Sequence, residues 1–406
     1  MAPQTTLPAA AVNFDQGVKV EGLVAKMEQA SKSSPAEQIQ GEKVAVQELD
    51  DSIERRIVVF KKSTSLTRRM SLVRDTGGIP TKDLWLVNAV AVIVPKVKAA
   101  GVDRSLASLS EVLRVEKDYV QNWLKATTTE EAPPDAAGQK VPWGIKRVNA
   151  KAAWPVTRGK GVKVAVIDTG IDFDHEDLVV AGGYNAIDNS VSYKDDNGHG
   201  THCAGTIAGQ DNGIGVVGVA PDVTLYGVKV LSASGSGTFE GVIDGIQWAV
   251  KNNMDIGSMS LGASSGTESL AEAIANAKKQ GTTIVAAAGN SGRAVGYPAA
   301  YPEAIAVAAS DSSDQVAYFS SRGPEVDIIA PGVSVESTYM GGGYRSLSGT
   351  SMACPHAAGL AALAIANGAS GFDAVMEALQ SAATKFDGVP DTQQGAGMVD
   401  AGKLVQ

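Results

Sequence analysis

Short apolar runs alternate with segments of helical periodicity along the last two thirds of the chain. Five of these runs are nearly continuous in apolar side chains, which is typical of strands buried on both faces of a parallel sheet. The predicted strands are Val162–Ile167, Val223–Val230, Asp255–Leu261, Thr283–Ala288 and Ala304–Ala308. The predicted helices between them are Gly200–Gly209, Gly237–Asn252 and Ser269–Gln280. The alternation predicts an α/β fold with a doubly wound, mostly parallel sheet over residues 141–406.

The preceding region has a different pattern, with β-branched runs and shorter helical segments. Ile57–Phe60, Ala89–Val94 and Leu113–Val120 are predicted strands, whereas Val97–Ala100 and Ser105–Leu113 are predicted to form short helices or turns. Residues 53–124 are therefore expected to form a small α+β domain.

Two segments lack sustained periodicity. Residues 1–52 are expected to be a loosely ordered extension, and no basic stretch followed by an apolar stretch marks a signal peptide at its start. Residues 125–140 combine charged residues with Pro133 and Pro134, which predicts an exposed linker.

Composition separates the same two regions. Residues 1–124 contain 6 of the 45 glycines and carry a net charge of +2. The remaining residues carry a net charge of −11, which brings the total to −9. This acidic balance argues against nucleic acid as a partner. No window of 18 uncharged apolar residues predicts a membrane span, and two cysteines cannot form a disulfide scaffold.

Polar side chains stand at the ends of several predicted elements. Asp168 ends the first long strand, where nucleotide, metal or phosphate sites are also assembled. Its Asp-Thr-Gly sequence occurs in aspartic proteases too, but those need two carboxylates and an all-β fold. His199 and His202 are spaced i, i+3, so they either cap a helix or share a metal; a cluster with metal-ligand spacing is not evident.

Ser351 begins a long helix of small residues, where free backbone N–H groups stabilise negative charge. A serine in that place alone is also a common helix cap. Asn290 adds a side-chain amide at another strand end. Taken together with Asp168 and His199, these residues provide the orienting acid, base, nucleophile and oxyanion donor that an acyl-transfer site requires.

The segments around these four residues resemble those of the subtilisin-like serine proteases, and the resemblance extends from about Val141 to Ala401. Residues 53–124 are similar to the inhibitory propeptide of that family, most clearly at Val115–Val120. This similarity implies a ferredoxin-like α+β fold for the small domain. The resemblance implies a monomeric, extracellular serine endopeptidase that is made as a self-processing zymogen. Proteins and peptides would be its substrates, and its own propeptide would be an intramolecular inhibitor.

The resemblance also implies a role for each site residue. Ser351 is the nucleophile, His199 is its base, and Asp168 holds the imidazole in one tautomer. Asn290 and the backbone N–H of Ser351 form the oxyanion hole. The histidines expected to be structural are His175, His202 and His356.

By the same resemblance, substrate lies as an extended strand between two segments of the enzyme and pairs with their backbones. The segments are Gly235, Ser236 and Gly237 on one side and Ser260, Leu261 and Gly262 on the other. The primary pocket is framed by Ser260–Gly262, by Ala287–Gly289 (including Ala287 and Gly289) and by Gly296. It is expected to be open and uncharged, accepting Leu, Phe, Tyr or Met. Phe239 floors the pocket for the substrate residue three positions further towards the N-terminus.

A structural Ca²⁺ site is a further implication of the family. Oxygen donors from side chains and loop carbonyls suit this hard cation. The expected ligands are Gln139, Asp177, Gln210, Asn212, Ile214 and Val216. The Asp211-Asn212-Gly213 sequence is also compatible with a simple surface turn.

Aligning Val115–Val120 with the last strand of the family's propeptide predicts the processing site. Leu124 then enters the primary pocket, Val120 enters the pocket beyond, and cleavage falls between Leu124 and Lys125. The released fragment would stay in the cleft as an inhibitor.

Several alternatives stay open at this point. A catalytically silent relative that binds only peptides or calcium would require a broken triad. An esterase-type acyl hydrolase would show Gly-x-Ser-x-Gly and the order Ser, Asp, His. A nucleotide site would need Gly-x-Gly-x-x-Gly after the first strand. Cys203 and Cys354 are either free apolar thiols or a disulfide.

Overall fold

The protein was analysed as a computed structural model, in which residues 52–124, 129–131 and 138–406 are described. The chain divides into two compact units, Met1–Tyr119 and Val120–Gln406. The extension expected over residues 1–52 lies outside the described residues except for Ser52, and so does Lys125. Val120–Leu124 groups with the second unit, so the division comes five residues before the end expected for the small domain.

The described residues of the first unit form one antiparallel sheet and two α-helices. Its elements are β1 (Ile53–Phe60), α1 (Leu66–Asp75), β2 (Ile79–Leu84), β3 (Ala89–Pro95), α2 (Ala99–Ala107) and β4 (Val112–Asp118), with short 3₁₀ turns at Trp85–Val87 and Lys96–Lys98. The strand order is β2-β3-β1-β4. Val58, Val73, Val90 and Leu106 are fully buried in its core. The expectation of a small α+β, ferredoxin-like domain is confirmed.

Two elements of this unit were not predicted from sequence. The strand β2 contains a proline and two charged residues, and five of its six residues are only half-buried. The helix α1 has three arginines among its ten residues. Neither segment shows a clear apolar period, so only packing against the rest of the sheet identifies them.

The second unit is built on a nine-stranded sheet of order β17-β18-β14-β13-β12-β11-β7-β9-β8. Its strands are β7 (Lys163–Asp168), β8 (Val180–Asn185), β9 (Thr224–Lys229), β11 (Ile256–Met259), β12 (Thr283–Ala287), β13 (Ala304–Ser310), β14 (Ile328–Pro331), β17 (Ala383–Thr384) and β18 (Met398–Val399). All neighbours pair in parallel except β17 with β18. The predicted doubly wound, mostly parallel sheet is confirmed.

Helices surround this sheet, and three short pairings lie outside it. The helices are α3 (Trp143–Arg147), α4 (Ala150–Ala153), α5 (His199–Ala208), α6 (Phe239–Lys251), α7 (Glu268–Lys279), α8 (Thr350–Ala366), α9 (Gly371–Ser381), α10 (Asp391–Gln394) and α11 (Ala401–Leu404). The remaining strands are β5 (Gln121–Asn122), which pairs with β10 (Ser236–Gly237), and β15 (Val335–Tyr339), β16 (Gly343–Leu347) and β6 (Thr129–Glu131).

The core of the second unit depends on small side chains. Every residue of β12 and β13 is buried. The helix α8 is buried from Thr350 to Ala364 and consists largely of alanine. At Gly359 an added Cβ would collide with Val219, so this helix requires glycine for its close approach. Small residues therefore let α8 lie directly against the central strands.

The observed elements agree closely with those predicted, with informative exceptions. Asp255–Leu261 is a strand only over Ile256–Met259, so Ser260 and Leu261 lie just beyond its end. The strand β8 was not predicted because its sequence contains two glycines. Part of the expected linker is instead ordered, since Thr129–Glu131 pairs with β16.

No single helix among the described residues has the length and apolar character to cross a membrane, while one pair bent by 109°, Thr350–Ala366 with Gly371–Ser381, meets those criteria jointly.

Candidate active site

A buried carboxylate–imidazole pair lies where β7 ends and α5 begins. Asp168 is the last residue of β7 and is fully buried, and His199 is the first residue of α5 and 5% exposed. Asp168 Oδ1 accepts a hydrogen bond from His199 Nδ1 at 2.8 Å and another from the Thr169 backbone N–H at 2.7 Å. Asp168 therefore fixes the Nδ1 side of the His199 ring, and Nε2 is the ring nitrogen left for another partner.

Two glycines allow the strand end and the helix start to approach this closely. A Cβ on Gly200 would overlap the Gly170 carbonyl oxygen, and Gly170 itself has φ +105°. Any other residue at Gly200 would push α5, and with it His199, away from Asp168.

The Asp168 carboxylate makes the His199 imidazole a stronger base than a free imidazole. Burial alone would lower the pKa of His199, but attraction to the Asp168 carboxylate outweighs it and raises that pKa well above its usual value. Among the described residues, Nε2 of His199 is buried and has no hydrogen-bond partner. This nitrogen is thus available for an incoming proton.

The other three histidines serve the fold. His202 Nε2 bonds the Val335 carbonyl at 2.9 Å, and burial lowers the pKa of His202 to about 3. His356 Nδ1 bonds the Met352 carbonyl at 2.8 Å, and burial lowers its pKa to about 4. His175 lies between the Gly343 carbonyl and the Asp177 backbone N–H. The rings of His202 and His356 are therefore neutral hydrogen-bonding groups near pH 7.

Ser351 lies in the first turn of α8 and is 7% exposed. Its hydroxyl donates to the Ser260 carbonyl at 3.1 Å, while Ser260 Oγ donates to the Ser351 carbonyl at 2.8 Å. Cys203 of α5 lies 3.5 Å from that same Ser351 carbonyl oxygen and 3.9 Å from His199 Nδ1. The helix carrying His199 and the helix carrying Ser351 therefore meet at this point.

Thr350 fixes the orientation of the Asn290 amide. Asn290 Oδ1 accepts from the Thr350 backbone N–H at 2.9 Å and from Thr350 Oγ1 at 2.8 Å. Thr350 Oγ1 also accepts from the Gly289 N–H at 3.0 Å. These bonds assign the oxygen of the Asn290 amide and fix the orientation of the amide beside the first turn of α8.

A pocket opens beside Ser351. Leu261, Gly262, Ala287, Gly289 and Gly296 line it together with Asn290. These residues were expected to frame the primary pocket from sequence. The exposed side chain of Arg293 also lines the pocket, so the expectation of an uncharged pocket does not hold at its rim. Arg293 lies in the loop that follows Asn290, and the periodicity of the sequence does not predict where the side chains of a loop lie.

The chain's own residues 121–124 lie along the segment Gly235–Gly237. Gln121 and Asn122 pair with Gly237 and Ser236 as antiparallel strands. The Trp123 N–H then donates to the Gly235 carbonyl at 2.9 Å, and its carbonyl accepts from the Gly262 N–H at 3.0 Å. This segment therefore bridges the two enzyme segments that were predicted to pair with substrate.

Trp123 is the best-buried side chain of this segment, with 1% of its surface exposed. Its ring meets Phe239 edge-on, with centroids 5.0 Å apart, and its Nε1–H donates to the Gly237 carbonyl at 3.0 Å. Val120, by contrast, is 53% exposed, and the Leu124 side chain lies against Gly235. The pocket at Phe239 is thus filled by Trp123, whereas Val120 and Leu124 were the residues expected in pockets.

The residues expected to bind calcium meet around Asp177. Asp177 is fully buried, and its Oδ2 accepts from the Val216 N–H at 2.8 Å. Gln139 Nε2 donates to the Gln210 carbonyl, and Asn212 Oδ1 accepts from the Ile214 N–H at 3.0 Å. Oδ1 of Asp177 is buried without a hydrogen-bond partner among the described residues. Burial raises the pKa of Asp177 to about 6.

Cys203 and Cys354 are free, buried thiols. Burial raises the pKa of both, that of Cys354 to about 12. Neither is a thiolate near neutral pH.

Sequence reasoning did not identify Trp123 or Thr350. Thr350 is adjacent to Ser351, but its side chain contacts Asn290, which is distant in sequence. Trp123 lies one residue before the predicted processing residue, and the only signal there was its size.

Comparison with known proteins agrees with this geometry. The sequence model of the Subtilase family matches residues 159–397. Subtilisin E of Bacillus subtilis (strain 168) is 42% identical over 345 residues, which is 82% of this chain and 86% of the relative. Alkaline elastase YaB of Bacillus sp. (strain YaB) is 49% identical over 266 residues, or 65% and 70% of the two chains. The chain therefore belongs to the subtilase family.

A third relative has a similar degree of sequence identity. The thermostable alkaline protease of Halalkalibacterium halodurans (strain ATCC BAA-125 / DSM 18197 / FERM 7344 / JCM 9153 / C-125) is 49% identical over 270 residues, covering 66% of this chain and 74% of the relative.

Proposed function

We propose that this protein is a serine endopeptidase of broad specificity, with Asp168, His199 and Ser351 as its catalytic triad. The observation that carries the proposal is the buried Asp168–His199 hydrogen bond of 2.8 Å, which leaves Nε2 of His199 without a partner near the first turn of α8. Membership of the subtilase family and the names of the relatives, which are subtilisins and alkaline proteases, support it.

The proposed reaction is acyl transfer through a covalent intermediate. The Ser351 hydroxyl turns from the Ser260 carbonyl to His199 and gives its proton to Nε2 as Oγ attacks the peptide carbonyl carbon. Asp168 stabilises the imidazolium that forms. His199 then protonates the leaving amine, and water hydrolyses the acyl-enzyme by the same proton transfers in reverse order.

The negative oxygen of the tetrahedral intermediate would be stabilised by two donors. One is the Ser351 backbone N–H, which has no acceptor within the first turn of α8. The other is the Asn290 amide, which Thr350 orients through its oxygen. Donors fixed before the reaction stabilise developing charge without reorganisation.

Substrate would bind as Gln121–Trp123 does, through its backbone. Such pairing tolerates many sequences, so selectivity rests on the side-chain pockets. The apolar lining of the primary pocket supports cleavage after Leu, Phe, Tyr or Met. Arg293 at its rim disfavours a basic residue there by like-charge repulsion.

We further propose that the protein is made as a zymogen and that residues 53–124 act as its inhibitor and folding template. The support is that residues 121–123 pair with Gly235–Gly237 and Gly262, the segments that we propose bind substrate. A parallel sheet with distant pairings folds slowly, so a template accelerates it. The sequence predicts the processing site at Leu124–Lys125. The contact of Trp123 with Phe239, whose pocket lies three positions before the primary-pocket residue, favours cleavage two residues later, after Ala126.

A structural Ca²⁺ is proposed at Asp177, with Gln139, Asn212 and the carbonyls of Gln210, Ile214 and Val216 as the other ligands. The support is the buried Oδ1 of Asp177, which has no hydrogen-bond partner among the described residues, and the burial that raises the pKa of this carboxylate. Oxygen donors of this kind suit calcium. The ion would supply stability and take no part in the reaction. A calcium-stabilised, self-processed monomer suits action outside the cell, which we also propose.

The triad is tested by replacing its nucleophile. We expect wild type to shorten itself and hydrolyse casein, whereas Ser351→Ala does neither because no acyl-enzyme forms. Ser370→Ala, an exposed serine, is the matched control and should behave as wild type. Electrophoresis and casein release over time give the result, and an active Ser351→Ala protein would refute the assignment.

N-terminal sequencing of the product locates the cleaved bond, and a first residue beyond Ala137 would refute Leu124–Lys125.

The oxyanion role of Asn290 predicts a loss confined to the chemical step. Asn290→Ala should lower kcat about a hundredfold or more with KM nearly unchanged, because the donor acts on charge that develops in the transition state. Asn189→Ala, in an exposed loop, is the control. Steady-state kinetics on a chromogenic peptide decide it, and an unchanged kcat would exclude Asn290 from the oxyanion hole.

The calcium proposal predicts a chelator-dependent melting temperature that Asp177→Asn abolishes. Without calcium, a carboxylate whose folded pKa is raised to about 6 destabilises the fold as pH rises from about 4 towards 6. Asp177→Asn removes that cost, so the chelated variant should melt at or above chelated wild type at pH 7. The exposed Asp387→Asn protein should keep the wild-type response to chelator. A wild-type melting temperature that chelator leaves unchanged would contradict the site.

Inhibition by the end of the propeptide should depend on Trp123. We expect Trp123→Ala to weaken the inhibition of the enzyme by a separate peptide of residues 112–124 about tenfold or more, because the ring and its Nε1–H both contact the enzyme. Trp123→Phe keeps the ring and loses the donor, so its inhibition constant should lie between the two. Equal inhibition constants for all three peptides would show that the backbone alone holds the segment.

A further inference from the structure

A second buried carboxylate lies next to the Asp168–His199 pair. Asp195 comes from the loop before α5 and is 6% exposed. In the described part of the chain, it has no basic side chain within ion-pair distance. A buried charge without a counter-ion is tolerated only when hydrogen bonds replace the lost water, so the donors around Asp195 identify what it holds together.

Five donors surround this carboxylate. Oδ1 accepts from Thr169 Oγ1 at 2.8 Å and from the backbone N–H groups of Asn197 and Gly198, each at 2.9 Å. Oδ2 accepts from the Thr201 N–H at 3.0 Å and from Thr201 Oγ1 at 2.6 Å. Every donor is neutral, and Thr169 and Thr201 are themselves fully buried.

These donors belong to the two elements that carry the catalytic pair. Thr169 directly follows Asp168, and its N–H bonds the Asp168 carboxylate. Gly198 precedes His199, and Thr201 follows it within the first turn of α5. Thr169 Oγ1 also accepts from the Gly200 N–H at 2.9 Å, so strand end and helix start are joined at more than one point. The negative charge at the N-terminus of α5 is favourable as well.

We propose that Asp195 is a positioning residue for catalysis: through Thr169 and the first turn of α5, it holds the Asp168 carboxylate and the His199 imidazole in line for proton transfer. The inference rests on the proposed peptidase function. It goes beyond helix capping because the same oxygen, Oδ1, contacts both the strand that ends in Asp168 and the loop that leads into His199.

The kinetic consequence is specific to the chemical step. Substrate is bound by Gly235–Gly237 and Ser260–Gly262, which belong to other elements than Asp195. Misalignment of the pair therefore lowers kcat and leaves KM unchanged. Small displacements of reacting groups cost up to about a hundredfold in rate.

The experiment compares two isosteric substitutions, each of which removes hydrogen bonds around Asp195, with two control substitutions. Asp195→Asn places an NH₂ group against at least one donor, and Thr169→Val removes the hydroxyl at constant volume. Both should lower kcat about tenfold or more with KM within about twofold of wild type. Thr169→Ser keeps the hydroxyl and should retain most of the wild-type kcat. Asp174→Asn, 68% exposed in a neighbouring loop, should match wild type.

A spectroscopic measurement reports the pair directly. The downfield proton resonance of His199 Nδ1–H follows its hydrogen bond to Asp168, and with four histidines in the chain it is assigned by its loss in His199→Ala. We expect it to broaden or shift in Asp195→Asn and Thr169→Val and to persist in Thr169→Ser and Asp174→Asn.

The outcomes separate the inference from the proposed function. Wild-type kcat and resonance in Asp195→Asn and Thr169→Val would overturn the positioning role. A larger loss in Thr169→Ser than in Thr169→Val would also overturn it, since volume and not the hydroxyl would then matter. If Asp195→Asn fails to fold, the Thr169 pair still decides. A wild-type protein without peptidase activity would refute the function, while the resonance would still test the positioning of His199.

Discussion

The close approach of strand ends to helix starts is the constraint on which the rest of this structure depends. Parallel pairing of β7, β11 and β12 brings their carboxyl ends to one edge of the sheet. The first turns of α5 and α8 meet that edge, which requires glycine at Gly200 and small side chains along α8. The distances in the site follow from this packing, because each functional side chain is at an element's end and has little freedom of its own.

Three of the carboxylates that are buried among the described residues have different surroundings. Asp168 faces an imidazole whose pKa it raises. Asp195 is surrounded by neutral donors and a helix N-terminus. Asp177 retains an oxygen without a partner among the described residues, and its own pKa is raised. A buried carboxylate with a proton partner suits catalysis, one with fixed donors suits positioning, and one with an unused oxygen suits a cation.

The cleft itself shows how a chain can be its own ligand. Residues 121–123 pair through their backbones with Gly235–Gly237 on one side and with Gly262 on the other. Trp123 adds a deeply buried ring at Phe239. Backbone pairing is indifferent to sequence, so the side chain of Trp123 is what distinguishes this segment from any other extended peptide.

The sequence by itself determined the fold class and the identity of the chemical groups. Continuous apolar runs can be buried only in a sheet covered on both faces, and Asp168, His199, Asn290 and Ser351 stand at the ends of such elements within long, specific motifs. Periodicity is lost in segments such as β8 and β2, whose glycine, proline or charged residues are tolerated only because neighbours pair with them. Those elements could not be predicted.

Only the tertiary structure decided which side chains touch. Thr350 on Asn290, Asp195 on Thr169 and Trp123 on Phe239 join residues that are 26 to 116 positions apart. No local pattern encodes such contacts, because they arise when separate strands and helices close on one another. The same closure placed Arg293 at the rim of a pocket expected to be uncharged, and Trp123 in the pocket at Phe239. Sequence motifs identify the polar side chains of the candidate site, whereas packing between distant elements sets the alignment of these side chains.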